Sequence, residues 1–259
     1  MSLPRVIPCL LLADGGLHKT TRFGAPRYVG DPVNAVRIFN EREVDEIVVL
    51  GTDRQRRGAG PPFAQIADLA SECFMPLAYG GGVRSIEDMA TLFRIGVEKV
   101  VLNTAALENP ELVRDAARRF GSQAVVVACD AKRQWRGGWR VYAHSAGRSL
   151  DETPAAYCSR MQSLGAGEIL LTAVDRDGTL EGYDIALIRE VTASVGIPVV
   201  ACGGARDLED LQRAIREGGA AAAAAGSLFV FQGRHRAVLI TYPSRDELTR
   251  LFARSGGTT

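Results

Sequence analysis

The stretch Glu46-Ile-Val-Val-Leu-Gly-Thr-Asp53 returns 122 residues later as Glu168-Ile-Leu-Leu-Thr-Ala-Val-Asp175, since 168 − 46 = 122 and 175 − 53 = 122. The same offset relates Gly81-Gly-Val-Arg-Ser-Ile-Glu-Asp88 to Gly203-Gly-Ala-Arg-Asp-Leu-Glu-Asp210. A fixed offset of this kind is the signature of an internally repeated architecture. We therefore predict a chain built from two matching halves.

Short apolar strands alternate with helical segments along the whole chain. We predict strands at Val6–Leu12, Glu46–Leu50, Met75–Tyr79, Lys99–Leu102, Ala124–Cys129, Glu168–Ala173, Val199–Ala201 and Ala220–Ala225. Helices are predicted at about Asp31–Glu43, Phe63–Cys73, Ile86–Ile95, Pro110–Phe120, Pro154–Leu164, Asp184–Val195, Leu208–Glu217 and Ser244–Ala253. Asp31-Pro32, Asn109-Pro110 and Thr153-Pro154 are typical helix starts.

Eight strands and eight helices indicate a (β/α)8 TIM barrel, with a doubly wound open sheet as the alternative. We expect residues 1–259 to form a single barrel domain, with half-barrels at about 1–122 and 123–259. The loops 13–30, 51–62 and 131–150 should cover the site at the C-terminal ends of the strands.

Composition limits the classes of function. The 259 residues are 46% hydrophobic and carry a net charge of +1, so no broad field draws the chain to nucleic acid or membrane. The aromatic and basic residues of 132–140 indicate a solvated hairpin rather than a nucleic-acid patch. The five cysteines show no C-x-x-C pairing and indicate buried free thiols. Without a recognisable signal segment, we expect a cytoplasmic protein.

Two sets of small residues predict a pair of anion sites at the top of the barrel. Gly80-Gly-Gly82 and Gly203-Gly204 follow strands 3 and 7, while Asn103-Thr104 and Gly226-Ser227 follow strands 4 and 8. Glycine allows backbone N–H groups to approach a phosphate, and barrels often bind phosphate after strands 7 and 8. The expected ligand carries two phosphate-like ends.

Proton-transfer groups are unevenly distributed between the halves. Asp130 ends strand 5, and Asp175 and Asp177 end strand 6, where carboxylates can act as general acids or bases or only order the loops. Cys9-Leu-Leu11 corresponds to Ala128-Cys-Asp130 at an offset of 119, so Leu11 stands where Asp130 would have its partner. Two-carboxylate chemistry is therefore compromised. The three histidines show no metal-ligand spacing, and we expect no metal and no cofactor.

Four charged residues begin strands and should meet at the opposite, N-terminal mouth: Arg5, Glu46, Lys99 and Glu168. Charges there must pair or contact water. A structural plug and a functional gate are both compatible with this pattern.

The sequence resembles the cyclase subunit of imidazole glycerol phosphate synthase over nearly its full length. The matching segments are Asn103-Thr-Ala-Ala106, Glu108-Asn-Pro110, Phe120-Gly-Ser-Gln-Ala-Val-Val-Val127, Asp130-Ala-Lys132, Gly165-Ala-Gly-Glu168 and Asp175-Arg-Asp-Gly-Thr179. The resemblance implies a barrel that receives ammonia from a glutaminase docked at its base and uses it on a bisphosphorylated ribulosyl substrate. It also implies an ammonia gate at Arg5, Glu46, Lys99 and Glu168, and a partner-facing position at Gln123. The phosphate-binding residues that it implies are Lys19, Gly82, Asn103, Thr104, Asp177, Gly178, Gly204, Gly226 and Ser227.

The chain departs from that family at catalytic positions. The two aspartates that the family uses as acid and base read Leu11 and Asp130 here, and Gly51 replaces an aspartate at the end of strand 2. A subfamily linked to amidation of bacterial surface sugars resembles the chain in these changes and in additional segments. These segments are Ile7-Pro-Cys-Leu-Leu-Leu12, Gly30-Asp-Pro32, Phe39-Asn-Glu41, Glu72-Cys-Phe-Met-Pro76, Ala225-Gly-Ser-Leu-Phe-Val-Phe231, His235-Arg-Ala-Val-Leu-Ile240 and Tyr242-Pro243.

Three functions follow as hypotheses. The first is an ammonia conduit that serves a separate sugar amidotransferase and has lost full cyclase activity. The second is a working cyclase of histidine biosynthesis that forms imidazole glycerol phosphate and AICAR. The third, a sugar-phosphate isomerase, needs carboxylates at strands 1 and 5 and has no use for the four charges at the base.

Overall fold

Eight parallel strands close into a barrel in a computed structural model that describes residues 3–52, 59–233 and 235–253. The strands, numbered β1 to β8 in chain order, are Arg5–Ala13, Ile47–Gly51, Leu77–Gly80, Lys99–Leu102, Val125–Arg133, Glu168–Ala173, Val199–Cys202 and Ala222–Ala225. Each strand pairs with the next, and β8 pairs with β1. Closure removes both sheet edges. The predicted (β/α)8 barrel is confirmed, and the open sheet is wrong.

Eight helices, α1 to α8, surround the barrel at Pro32–Glu41, Phe63–Glu72, Ile86–Ile95, Glu111–Phe120, Pro154–Ser163, Ile185–Thr192, Leu208–Arg216 and Arg245–Ala253. Asp31 and Thr153 cap α1 and α5 through their side-chain oxygens, as predicted. The predicted start at Asn109 is wrong. Asn109 instead ends a short helix, Thr104–Glu108, that follows β4 directly, and Pro110 precedes α4 without a side-chain cap.

Apolar side chains fill two regions, one between the barrel and the helices and one inside the barrel. The interior is built mainly from small or β-branched residues: Ile7, Cys9, Val48, Ala78, Val101, Val126, Ala128, Leu170, Val200, Cys202, Ala222 and Ala224. Strand β8 consists only of alanines, all buried, and closes the barrel between β7 and β1. The centre of the barrel is therefore apolar and lined by short side chains.

Additional strands extend the C-terminal ends of the barrel strands. Gly16–Lys19 pairs with the end of β1 and with Arg27–Gly30, so much of the 13–30 loop is ordered sheet. Trp139–Ala143 pairs with the end of β5, which forms the hairpin predicted for 132–140, and it also pairs with Arg148–Ser149. The remaining elements are a 3-10 helix at Ser122–Ala124, a short helix at Ser227–Val230, and a hairpin of Phe231–Gln232 with Ala237–Val238.

Residues 53–58 of the predicted 51–62 loop lie outside the described residues. In the described ranges, no helix is long and apolar enough to cross a membrane.

Candidate functional site

A cavity of about 420 Å³ lies at the C-terminal ends of the barrel strands. It is lined by Asp130, by Leu11 and by every residue predicted to bind phosphate: Lys19, Gly82, Asn103, Thr104, Asp177, Gly178, Gly204, Gly226 and Ser227. The structure thus brings together residues at or just after the C-terminal ends of seven strands, β1 and β3 to β8, and Lys19 from the first hairpin. Their roles as ligand-binding groups stay predictions, whereas their convergence on one cavity is a geometric result.

Asp130 is a buried carboxyl group at the C-terminal end of β5, with 7% of its surface exposed. Burial, together with the nearby Asp177 carboxylate, raises its pKa from 3.8 to about 7. The Asn103 amide, which donates to Asp130 Oδ2 at 2.7 Å, and the Thr172 hydroxyl oppose this increase. A carboxyl group with a pKa of about 7 can both accept and donate a proton near neutral pH.

Leu11 occupies the matching position on β1 and is half-buried in the cavity wall. Its strand neighbours are Leu50 on β2 and His18 in the first hairpin. An aliphatic side chain cannot transfer protons, so this wall of the cavity contributes no acid or base at position 11. The structure also brings Asp14 to the cavity, which sequence reasoning missed although the residue directly follows β1.

Lys19 reaches back from the first hairpin across the end of β8. Its buried ammonium group donates to the Cys9 carbonyl at 2.5 Å. A Cβ atom added to Gly226 would lie 1.8 Å from Lys19 Nζ and 2.8 Å from Cys9 O. Only glycine leaves room for this contact, which places a cation against Gly226 in the wall of the cavity that Ser227 also lines. The arrangement suits an anionic ligand.

The two glycine pairs adopt related backbone conformations in the two halves. Gly81 and Gly82 have φ values of 117° and 74°, and Gly203 and Gly204 have φ values of 88° and 110°. A Cβ on Gly81 would meet the Gly51 backbone at 2.4 Å, and one on Gly203 would meet the Ala173 carbonyl at 2.9 Å. Larger residues would be strained at these turns and would clash. Both pairs therefore hold bare backbone at the cavity surface.

Asp177 and Gly178 connect the end of β6 to the first loop. Burial raises the pKa of Asp177, while the Lys19 ammonium and the Thr20 hydroxyl lower it. Thr20 Oγ1 lies 3.3 Å from Asp177 Oδ2, and a Cβ on Gly178 would lie 2.2 Å from the Thr20 carbonyl. The β1 and β6 loops are thus packed tightly on the same side of the cavity.

Two loops cover the cavity from above. Phe23 in the first loop contacts the His144 ring edge-on, with 5.3 Å between ring centroids. His144 and Ser145 belong to the loop between Trp139–Ala143 and Arg148–Ser149, and both line the cavity. The prediction that the loops 13–30 and 131–150 lie at the C-terminal ends of the strands is confirmed, since residues of both line this cavity.

The four charges at the opposite mouth form one connected ring, called here the charge ring. Arg5 donates to Glu46 and to Glu168, and Lys99 Nζ lies 2.9 Å from carboxylate oxygens of the same two glutamates. Both glutamates are buried, whereas the Arg5 and Lys99 side chains are 30% and 20% exposed. Each cation therefore bridges both anions, and the ring closes the N-terminal end of the barrel.

Comparison with known proteins identifies the family. A model described as histidine biosynthesis protein matches residues 5–235. The chain belongs to this histidine biosynthesis family. A Pseudomonas aeruginosa protein, provisionally named imidazole glycerol phosphate synthase subunit hisF2, is 48% identical over 94% of this chain and 97% of its own length. A Leptospira interrogans protein, provisionally named as the HisF subunit, is 43% identical over 97% of this chain and 100% of its own.

A third relative within the histidine biosynthesis family comes from Vibrio vulnificus and carries the provisional name imidazole glycerol phosphate synthase subunit hisF3. It is 42% identical over 94% of both chains. The resemblance to the cyclase-subunit family is confirmed at this level. This chain combines a complete charge ring with a cavity in which one of the two expected catalytic aspartates is leucine.

Proposed function

We propose that this barrel receives ammonia from a glutaminase subunit docked at its base and delivers it to the cavity at the top, in support of amidation by a separate enzyme. The observation that carries the proposal is the closed charge ring of Arg5, Glu46, Lys99 and Glu168. Four charges held at the mouth of an apolar barrel are expensive to desolvate. An isomerase that works only at the top would gain nothing from them.

The barrel interior suits neutral ammonia better than ammonium. Between the charge ring and the cavity, the side chains are apolar and mostly short, including Ala78, Ala128, Ala222 and Ala224. Transfer of an ion into such surroundings is costly, whereas a small neutral molecule loses only hydrogen bonds to water. Both ring cations are partly exposed, Arg5 at 30% and Lys99 at 20%. Lys99 carries its charge on a flexible aliphatic stem, so its displacement by a docked partner is the simplest way to open the ring.

The cavity supports binding of a phosphorylated small molecule. Lys19, Gly226 and Ser227 supply a cation and polar groups on one side, and Gly82, Asn103 and Thr104 face the cavity as well. Asp177 and Gly178 with Gly204 complete the predicted set. A ligand with two phosphate ends would use both groups of residues. In the conduit proposal this ligand regulates or orders the top of the barrel.

Leu11 favours divergence from cyclase chemistry. Leucine replaces one of two proton-transfer groups, and loss of one such group typically costs about 10²–10⁴-fold in rate. We propose, on the resemblance to the surface-sugar subfamily, that the ammonia is used by a separate sugar amidotransferase. No membrane or nucleic-acid partner is invoked.

The second candidate is a functional cyclase of histidine biosynthesis. The observation that favours it is Asp130, whose pKa of about 7 suits a single group that must both accept and donate protons. Asp14 and Asp177 also line the cavity and could supply a second carboxylate. This candidate predicts turnover without any other acceptor enzyme.

Cyclase activity is tested with the purified chain, the bisphosphorylated ribulosyl substrate and an ammonium salt, which bypasses the glutaminase. We expect little imidazole glycerol phosphate from a folded chain that still stimulates glutamine hydrolysis by the glutaminase subunit. Rapid product formation would instead establish the cyclase. Failure to bind or stimulate a glutaminase would refute the conduit.

Lys99→Ala tests the charge ring in the complex with the glutaminase. We expect glutamine hydrolysis to continue. The number of ammonia molecules delivered per glutamine hydrolysed should fall well below one, because the opening of the charge ring is no longer controlled. Removing Lys99 leaves Arg5 to neutralise two buried glutamates, which should cost about 2–4 kcal/mol of stability without unfolding the barrel. Lys132→Ala, at the opposite end, is the matched control. Unchanged coupling in Lys99→Ala would contradict a gating role.

A further inference from the structure

Phe74 is a large apolar side chain left almost entirely in solvent. It lies in the connection between α2 and β3 and is 87% exposed, although Met75 beside it is buried. Single exposed apolar residues are common on protein surfaces. Phe74 differs from a mobile surface residue because the surrounding contacts fix its backbone.

Two sequence segments that the site does not use meet beneath Phe74. Asn40, from Phe39-Asn-Glu41, accepts the Phe74 N–H through its side-chain oxygen at 3.0 Å and donates its amide to the Glu72 carbonyl. The Glu72 carboxylate, from Glu72-Cys-Phe-Met-Pro76, receives two hydrogen bonds from Arg37 at 2.8 and 3.0 Å. The Cys73 thiol donates to the Met75 carbonyl at 3.2 Å. These contacts hold the turn that carries Phe74.

The turn lies on the same face as the charge ring. The Pro76 carbonyl accepts the backbone N–H of Ile47, the residue after Glu46, at 3.0 Å. The Leu77 carbonyl accepts the N–H of Glu98, the residue before Lys99, at 2.9 Å. Phe74 therefore projects from the base of the barrel, near the start of β3 and between β2 and β4. Strand β2 begins directly after Glu46 of the charge ring, and β4 begins with Lys99 of the charge ring.

Rigid aromatic groups are effective anchors in protein interfaces. They bury a large area with few rotatable bonds, and binding energy concentrates on such residues near the centre of an interface. A turn that is already ordered loses little conformational entropy when a partner binds. An ordered turn beside the charge ring, with its aromatic ring in solvent, matches these requirements.

We infer that Phe74 is the anchor through which the glutaminase subunit recognises the base of this barrel, with the ring entering an apolar pocket of that subunit. The inference rests on the proposed function, because it takes the glutaminase as the occupant. The ion pair of Arg37 with Glu72, two residues before Phe74, is partly exposed and supplies charges of both signs at the rim of the contact. With the Phe74 side chain bound in this way, the glutaminase would lie over Lys99.

The test measures the affinity of the purified chain for the glutaminase subunit from the same organism by titration calorimetry. Phe74→Ala should raise the Kd roughly 10- to 100-fold, as expected for an interface anchor. Trp135→Ala is the matched control, because Trp135 is also 87% exposed but lies in the hairpin at the opposite end. Phe74→Trp keeps an aromatic ring and should bind within a few-fold of the unsubstituted chain.

The outcomes separate the inference from the proposed function. If the unsubstituted chain binds no glutaminase, both fail. If it binds and Phe74→Ala binds equally well, only the anchor is refuted. An equal loss in Trp135→Ala, or a change in self-association of the chain caused by Phe74→Ala, would also refute the anchor. Thermal unfolding of each variant confirms that the barrel is intact.

Discussion

Replacing Asp130 with asparagine should stabilise the protein in a strongly pH-dependent manner. The folded pKa of Asp130 is about 7 and its ordinary value is 3.8. Below pH 3.8 the carboxyl group is protonated in both the folded and the unfolded chain. As the pH rises towards 7, the unfolded chain loses this proton first, so the folded state loses stability until both forms are ionised.

Each pKa unit corresponds to about 1.4 kcal/mol, so ionisation of Asp130 should cost about 4 kcal/mol of stability above pH 7. Asparagine cannot ionise and avoids this cost. We compare the free energy of unfolding of Asp130→Asn with that of the unsubstituted chain. The advantage of the variant should be about 4 kcal/mol larger at pH 8 than at pH 3.5, and most of this increase should occur between pH 4 and 7. Effects of the amide that do not depend on pH cancel in this comparison.

The assay is urea unfolding at a series of pH values, followed by circular dichroism. Asp151→Asn is the control, because Asp151 is fully exposed and its neutralisation removes no buried charge. A stability difference between Asp130→Asn and the unsubstituted chain that stays constant from pH 4 to 8 would refute the conclusion that Asp130 is a destabilised buried acid.

Two further substitutions test the cavity. Gly226→Ala should weaken binding of inorganic phosphate about 10-fold or more, because the new methyl group displaces Lys19 Nζ and meets the Cys9 carbonyl. Gly60→Ala, which meets nothing within 4 Å, should bind phosphate normally, and equal affinities in the two variants would exclude the cation site. Leu11→Asp should raise imidazole glycerol phosphate formation from ammonium by about 10²–10⁴-fold, whereas Leu11→Asn should not. No gain in Leu11→Asp would mean that something besides the missing carboxylate limits the cyclase reaction.

The repeat and the alternation of strands and helices were sufficient to predict the barrel. Strand ends in a parallel barrel share one face, so position in the chain also predicted that Asp130, Asn103 and Gly226 would converge. The charge ring followed from the same reasoning, because Arg5 and Lys99 begin strands. These features depend on the order of elements, which a sequence records directly.

Other features depend on contacts between distant residues. The pKa of Asp130 reflects its burial and the Asn103 hydrogen bond, and the room that Gly226 leaves for Lys19 appears only when the first hairpin folds over β8. Asn109 shows that a local sequence signal can also give a wrong prediction. Its proline neighbour resembles a helix start, but the short helix after β4 uses Asn109 as its end. The local preference of Asn109 for a helix start was overridden by the tertiary structure, in which a short helix connects β4 to α4.

The all-alanine strand β8 has a consequence for folding kinetics. Alanine strongly favours helices and is depleted in strands, so residues 222–225 have little tendency to become extended alone. They become a strand only between β7 and β1. Ala222 pairs with Arg5 of β1, and almost the whole chain separates these two residues in sequence. Contacts of such long range form late. We therefore expect residues 222–225 to insert late in folding, and the facing edges of β7 and β1 to stay unpaired until they do.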